Sequence, residues 1–442
     1  MNRIVSLLIL SFLAFSLNAK QFELRELLDG NNPFALRADE FVPKHKFFRW
    51  LSADREGARY AAFKNPVKLT FLGFPVLEAI LYFENNQLSK LYLSLYNRGD
   101  AGEIDYGKFE TLVARFNEAL SRQTGEKGTE QRGRLANNMV LYANFRVSDN
   151  ILYTVKWSAS GHLKRDMKPQ YLQFEMEPFN PKDDPRKQSL VRVDRTKIET
   201  SKDLAANVRR KADGTVWIDN IPMVDQGAKG YCVAAVLERI LKYYGIDGVN
   251  QHTLAQIMKM RSGGVTSEMM LDALDKGGSK FGIKAKNRYS AEIETVEDLS
   301  KLISKYNNLA RRAKKKKIAQ VQKGNIIFVG QTMAQMDPKL FRKLRCDGYS
   351  RAMNSFRRDI QSRVNAGLPV GWCVFLGLVN EKQKTLQLAG AHMRLIIGYN
   401  AADDSIVYTD TWGSGHEFKT MSLEDAWVMT MRTIYINPRP AR

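Results

Sequence analysis

A glutamine stands six residues before a cysteine that opens a helical pattern. Asp225-Gln226-Gly-Ala-Lys-Gly-Tyr-Cys232 runs directly into Val233-Ala-Ala-Val-Leu-Glu-Arg-Ile-Leu-Lys-Tyr-Tyr-Gly245. Apolar residues in the second stretch recur three and four apart and Gly245 supplies a stop, which predicts a helix with Cys232 on its first turn. A thiol attacks a carbonyl only as the thiolate, and a helix N-terminus or a neighbouring imidazolium favours that form. Far downstream, Gly390-Ala-His392-Met-Arg-Leu-Ile-Ile-Gly398 reads as a buried strand, closed by Gly398, that delivers one histidine. The strand-like Ser405-Ile-Val-Tyr then leads to Asp410-Thr-Trp412-Gly413.

These residue types suit one chemistry. His392 would act as general base and then general acid, and Asp410 would fix its tautomer and orientation. Gln226 would donate an amide N–H to a developing oxyanion beside the backbone N–H of Cys232. Trp412 would cover the His–Asp bond from water. A lone cysteine before a helix is more often a small buried hydrophobe, and a lone histidine in an apolar strand is more often a core group. The weight lies in four residue types in the right order at the right local spacing.

The glutamine-to-cysteine spacing, the Gln226-Gly227 pair and the Asp-Thr-Trp-Gly end resemble the papain-like cysteine peptidases. Two positions depart from papain itself: Val233 follows the nucleophile where a Trp is usual, and Asp410 stands where an Asn is usual. The aspartate is closer to the double-glycine-leader peptidases and their relatives, a bacterial branch with the same residue order. The resemblance spans roughly residues 216 to 436. It implies an α+β domain in which an N-terminal helix bearing Cys232 packs on an antiparallel sheet bearing His392 and Asp410. It further implies peptide-bond hydrolysis through an acyl-enzyme thioester, a peptide or protein substrate, and no cofactor. Transglutaminase-like amide transfer would use the same triad. A third reading is a catalytically dead scaffold that serves as a basic envelope-binding protein.

At 442 residues the chain has room for two or three domains, and 44% hydrophobic with 26% charged residues is the composition of a folded globular protein. Met1-Asn-Arg3 precedes the apolar run Ile4 to Leu17, and Asn18-Ala19 comes before polar Lys20, the pattern of a secretory signal peptide cleaved after Ala19. A secreted or periplasmic location follows, with no transmembrane span once residues 1–19 are removed. Export leads to a disulfide-permissive compartment. A nucleophilic Cys232 must stay reduced there, which leaves Cys346 and Cys373 as one possible pair or as two buried thiols. His45, His162, His252, His392 and His416 have no metal-ligand spacing, so no metal is expected.

Residues 20–180 read as a smaller α+β domain of unknown role. Strands are expected at Val67–Leu72, Val76–Tyr96 with an Asn-rich turn, Met139–Phe145, Ile151–Trp157 and Tyr171–Met176, with a helix over Phe109–Ser121. Residues 181–215, rich in Pro, Lys and Asp, read as a linker, with Arg209-Arg210-Lys211 in an exposed loop. The peptidase-like domain then occupies 216–442. Within it, short helices are expected over Thr253–Met260 and Thr266–Asp275, with Gly263-Gly264 as the turn.

A net charge of +21 gives long-range attraction to anionic partners. Outside the cytoplasm the fitting class is an anionic envelope polymer, and no specific nucleic acid is expected. The densest basic cluster, Arg311-Arg312-Ala-Lys314-Lys-Lys-Lys317, ends a helical pattern carried by Leu299, Leu302, Ile303, Tyr306 and Leu309. Retention on an anionic matrix should fall steeply as salt shortens the screening length from about 10 Å at 0.1 M to about 3 Å at 1 M. Neutralising Lys314–Lys317 should weaken retention, as read from the elution salt concentration. Unchanged elution would place the attractive surface elsewhere.

Overall fold

The computed structural model describes residues 20–27, 32–63, 65–136, 138–191, 193–260, 265, 267–278, 280–291, 293, 295–381, 387 and 390–441. The proposed signal peptide and the Gly263-Gly264 turn lie outside the described residues. The chain is mixed α+β and divides into two compact units, 1–191 and 192–442.

The first unit is built on an eight-stranded sheet. Its strands are ordered Arg49–Trp50, Gly57–Ala61, Glu78–Glu84, Gln87–Asn97, Lys168–Pro178, Ile151–Ser160, Met139–Ser148 and Thr129–Ala136, and every pairing is antiparallel. Two of its hairpins turn on the same chemistry. Asn85-Asn86 and Asp149-Asn150 take positive φ at both central positions, the conformation that Asn and Asp tolerate and that matches the twist of paired strands. The expected strand at Val67 exists as Val67–Phe71, but it belongs to a separate three-stranded sheet beside Lys20–Glu23 and Phe74–Pro75. The helix runs Tyr106–Thr124, capped by Asp105, which accepts from the Lys108 N–H. Phe109, Val113, Phe116 and Leu120, spaced four, three and four apart, are its buried stripe and join Phe71 and Phe174 in the core.

The stretch read as a linker is corrected by the structure. The division falls at Val191/Arg192, and residues after it are structural parts of the second unit. Ser201–Ala206 is a helix with a Thr200/Asp203 capping box, and Val208–Arg210 is an edge strand paired to Thr215–Ile218. Arg209-Arg210 is therefore ladder, not open loop. Polar composition misled here because an edge strand keeps one side in water and carries charges against further pairing.

The sheet of the second unit comprises β1 (Val208–Arg210), β2 (Thr215–Ile218), β3 (Ile283–Ser290), β4 (Val370–Leu376), β5 (Gly390–Asn400), β6 (Ser405–Thr409), β7 (Lys419–Ser422) and β8 (Thr430–Pro438). The order β1-β2-β5-β4-β8-β3 forms its path, with β6 on β5 and β7 on β6, and all the pairings are antiparallel. Gly398 does not close the strand as expected. It lies inside β5 where β2 and β6 crowd in, and a Cβ there would meet the Val216 carbonyl oxygen at 2.5 Å and the Val407 Cβ at 2.9 Å.

Helix α1 (Cys232–Tyr243) packs against β5 and against the helix Gln251–Ile257. Residues Val233 to Leu241 are all buried, so α1 is a core helix rather than a surface one. Gly245 follows it at φ +72°. The helix Val296–Arg312 has a Thr295/Asp298 capping box and buries Leu299, Tyr306 and Ala310. Lys314–Lys317 follow it in an exposed turn. The second expected short helix is Ser267–Gly277. Among the described residues, no helix is long and apolar enough to cross a membrane.

Charge is buried in the first unit at Glu175, whose carboxylate meets Lys156 Nζ at 3.0 Å and Lys90 Nζ at 2.9 Å from the flanking strands. Burial alone would raise its pKa, but the two ammonium groups outweigh that and hold it well below the usual carboxylate range. A depressed folded-state pKa contributes stability that is present above the unfolded value, near 4.3, and lost as pH falls toward the folded one. Glu175→Gln should therefore flatten the acid side of the urea-midpoint profile of this unit below about pH 5. A variant with the wild-type slope would assign the acid sensitivity to other carboxylates.

Candidate active site

Local sequence puts each functional side chain at the end of a rigid element. Cys232 is the first residue of α1, where backbone N–H groups lack partners within the helix and the dipole favours an anion. His392 is the third residue of β5, and β5 is the strand on which α1 rests. Asp410 follows the last residue of β6, the neighbour of β5. Helix packing and strand pairing thus bring together three residues that span 178 positions of chain.

The histidine is fully oriented. His392 Nε2 lies 2.9 Å from Asp410 Oδ1, and Trp412 stacks on its ring face at a centroid distance of 4.4 Å and 11° between planes. Nδ1 is buried and makes no other hydrogen bond of ordinary geometry, so the ring nitrogen left over is the one for the Cys232 thiol, which interacts with the ring. Burial opposes charge on the imidazole, but the bond to Asp410 and the thiol beside it outweigh burial and hold His392 above its ordinary pKa. Burial likewise raises the Cys232 pKa. Here His392, with the backbone N–H groups of Met393 and Val233, outweighs it and holds the thiol below its ordinary value. The two shifts have opposite signs and share one contribution, the mutual stabilisation of thiolate and imidazolium, to which Asp410 adds on the His392 side.

Gln226 is held by the segment that carries Asp410. Its backbone N–H donates to the Thr411 carbonyl at 2.9 Å, and Thr411 Oγ1 donates to its Oε1 at 2.7 Å. Since a hydroxyl proton must go to the amide oxygen, the amide NH2 is turned the other way, where it donates to the Lys229 carbonyl at 3.3 Å. The long, weak bond to Lys229 leaves donor capacity for a substrate oxygen. Trp412, which stacks on the His392 ring, is 8% exposed.

Sequence reading missed the cations around Asp410. Arg394 Nε donates to Oδ1 at 2.8 Å, and Lys419 Nζ donates to Oδ2 at 2.9 Å. Arg394 also pairs with Glu381 at 3.0 Å, and Tyr408 OH donates to Glu381 Oε2 at 2.8 Å. Burial would raise the Asp410 pKa, yet His392, Arg394 and Lys419 together hold it well below the usual range. From α1, Arg239 donates to the Asp410 main-chain carbonyl at 2.7 Å, to Thr409 Oγ1 at 2.9 Å and to the Pro222 carbonyl at 2.7 Å. A charged pair inside the apolar pattern of α1, Glu238-Arg239, was a legible signal that this helix binds something polar. Arg394 carried one too, since it lies two residues from His392 and so on the same face of β5. Lys419 carried none.

None of the three cysteines is in a disulfide. Cys346 lies 3.6 Å from Glu424 Oε1, and burial beside that carboxylate pushes its thiol up to about 11. Cys373 is buried on β4. Neither shares the environment that lowers Cys232. No protein-family model matches the chain, and no curated protein matches it.

On sequence alone, Asp410→Asn is expected to keep the ring oriented, because an amide oxygen also accepts from imidazole. The two buried cations change that expectation. Removing one partner of a buried ionic cluster costs about 3–5 kcal/mol because it leaves charge uncompensated. Asp410→Asn should lower unfolding stability by about that amount, measured by urea denaturation of the full chain, and adding Lys419→Met should recover part of the loss. An Asn variant as stable as wild type would show that Asp410 serves His392 alone.

Proposed function

We propose that the second unit is a papain-like cysteine hydrolase and that the protein is an exported thiol peptidase. The observation that carries this reading is the alignment of Cys232 at a helix start with an imidazole whose far nitrogen is 2.9 Å from a buried carboxylate. The Cys232 thiolate attacks the carbonyl carbon of a peptide bond. Negative charge moves to the carbonyl oxygen, which takes hydrogen bonds from the Gln226 amide and the Cys232 backbone N–H. The His392 imidazolium gives its proton to the leaving amine as the C–N bond breaks, leaving a thioester. Neutral His392 then takes a proton from water, whose oxygen displaces the thiolate and releases the carboxylic acid. Asp410 keeps Nε2 protonated throughout, so that Nδ1 is the nitrogen that moves the proton. The signal-like residues 1–19 support export.

Peptide-library cleavage read by mass spectrometry tests this reading. Wild type should generate new termini and Cys232→Ala none, and iodoacetamide should label Cys232 faster than Cys346 or Cys373. Gln226→Ala should lower turnover by about 10²- to 10³-fold while leaving labelling nearly unchanged, because the groups that lower the Cys232 thiol are His392 and the backbone of Met393 and Val233. Products joined to an added amine instead of water would reassign the reaction to amide transfer. Equal labelling of the three thiols with no turnover would reduce the site to a scaffold.

A further inference from the structure

We propose, resting on the hydrolase reading above, that Arg394 and Lys419 are positioning residues, and that Lys419 sets the pH window over which the His392 imidazolium exists. Asp410 Oδ1 receives His392 Nε2 and Arg394 Nε, and Oδ2 receives Lys419 Nζ. The side chains of Arg394 and Asp410 are fully buried, and that of Lys419 is 2% exposed. Water therefore does little to screen these charges, and each cation acts on the imidazole through the carboxylate they share.

The chemistry needs this restraint. An imidazole beside a single uncompensated buried carboxylate would hold its proton strongly, which favours the thiolate pair but hinders the later step in which neutral His392 deprotonates water. Two fixed cations offset part of the carboxylate's pull while keeping it ionised and aimed. Among the described residues, the other charged groups near His392 include Cys232 from α1, Arg239 on the Asp410 carbonyl, Glu381 behind Arg394, and His416 with Glu417 and Asp225 beyond Trp412. Lys419 also lies over the rings of Trp412 and Tyr408, at 5.5 and 5.9 Å from their centroids, so its position is set by packing as well as by charge.

The two cations are not equivalent as probes. Loss of Arg394 would strand Glu381 in the interior, whereas Lys419→Met leaves Asp410 still held by Arg394. Removing a positive charge favours the protonated ring, so the His392 midpoint should rise in Lys419→Met, by about one pH unit or more, and Lys419→Arg should restore it. The measurement is a pH titration of imidazole nitrogen shifts in the full chain labelled with ¹⁵N-histidine, with His392→Gln to assign the resonance. A midpoint that stays or falls in a folded Lys419→Met protein overturns the proposal. If that variant does not fold, Lys419→Gln carries the same comparison. A raised midpoint without any Cys232-dependent peptide cleavage sinks the hydrolase reading and leaves the electrostatic role of Lys419 standing.

Discussion

One buried carboxylate organises the second unit. Asp410 has no exposed surface, and a lone anion there would be too costly to keep ionised. It stays ionised because β5 supplies Arg394 and His392, β7 supplies Lys419, and α1 supplies Arg239 to its backbone carbonyl. Those contacts fix the register of three strands against the helix that carries Cys232. The same ionic cluster that orients the histidine thus also ties these elements together.

The other half of the geometry is a coupling between two loops. Thr411, the neighbour of Asp410, holds the Gln226 backbone and the oxygen of its side-chain amide, while Arg239 ties the Pro222 carbonyl to the same segment. A displacement of residues 409–412 would move the carboxylate, the stacked Trp412 and the amide donor together. Such rigid linkage suits a site in which donors must already point at a charge that appears only in the transition state.

The first unit rests on different physics. Its sheet is registered by hairpins whose turn residues accept positive φ and by a helix stripe that buries four apolar side chains. Its strongly perturbed carboxylate among the described residues, Glu175, is paired across neighbouring strands. A buried ion pair on a sheet fixes register.

Much of this was legible in the sequence where the governing interactions are local. The 3.6-residue period of Val233–Tyr243, the Asn-Asn turn at 85–86, the stripe of Phe109 to Leu120 and the strand around His392 each depend on residues a few positions apart, and each element formed where the pattern placed it. Errors arose where burial decided against local composition: residues 192–215 read as linker but include a helix and an edge strand, and Gly398 read as a strand end but lies where three strands crowd together. The residue types of the candidate site could be named from order and spacing, since chemistry limits which side chains serve a thiolate. What only the tertiary structure decided is the electrostatic setting of that site. Arg394 from β5 and Lys419 from β7 meet the Asp410 carboxylate, Arg239 from α1 meets its main-chain carbonyl and Glu381 backs Arg394 from a loop, and no local pattern announces that arrangement. Charge interactions in a dry interior act through space and not along the chain, so their consequence for His392 exists only once α1 and strands β5 to β7 have packed.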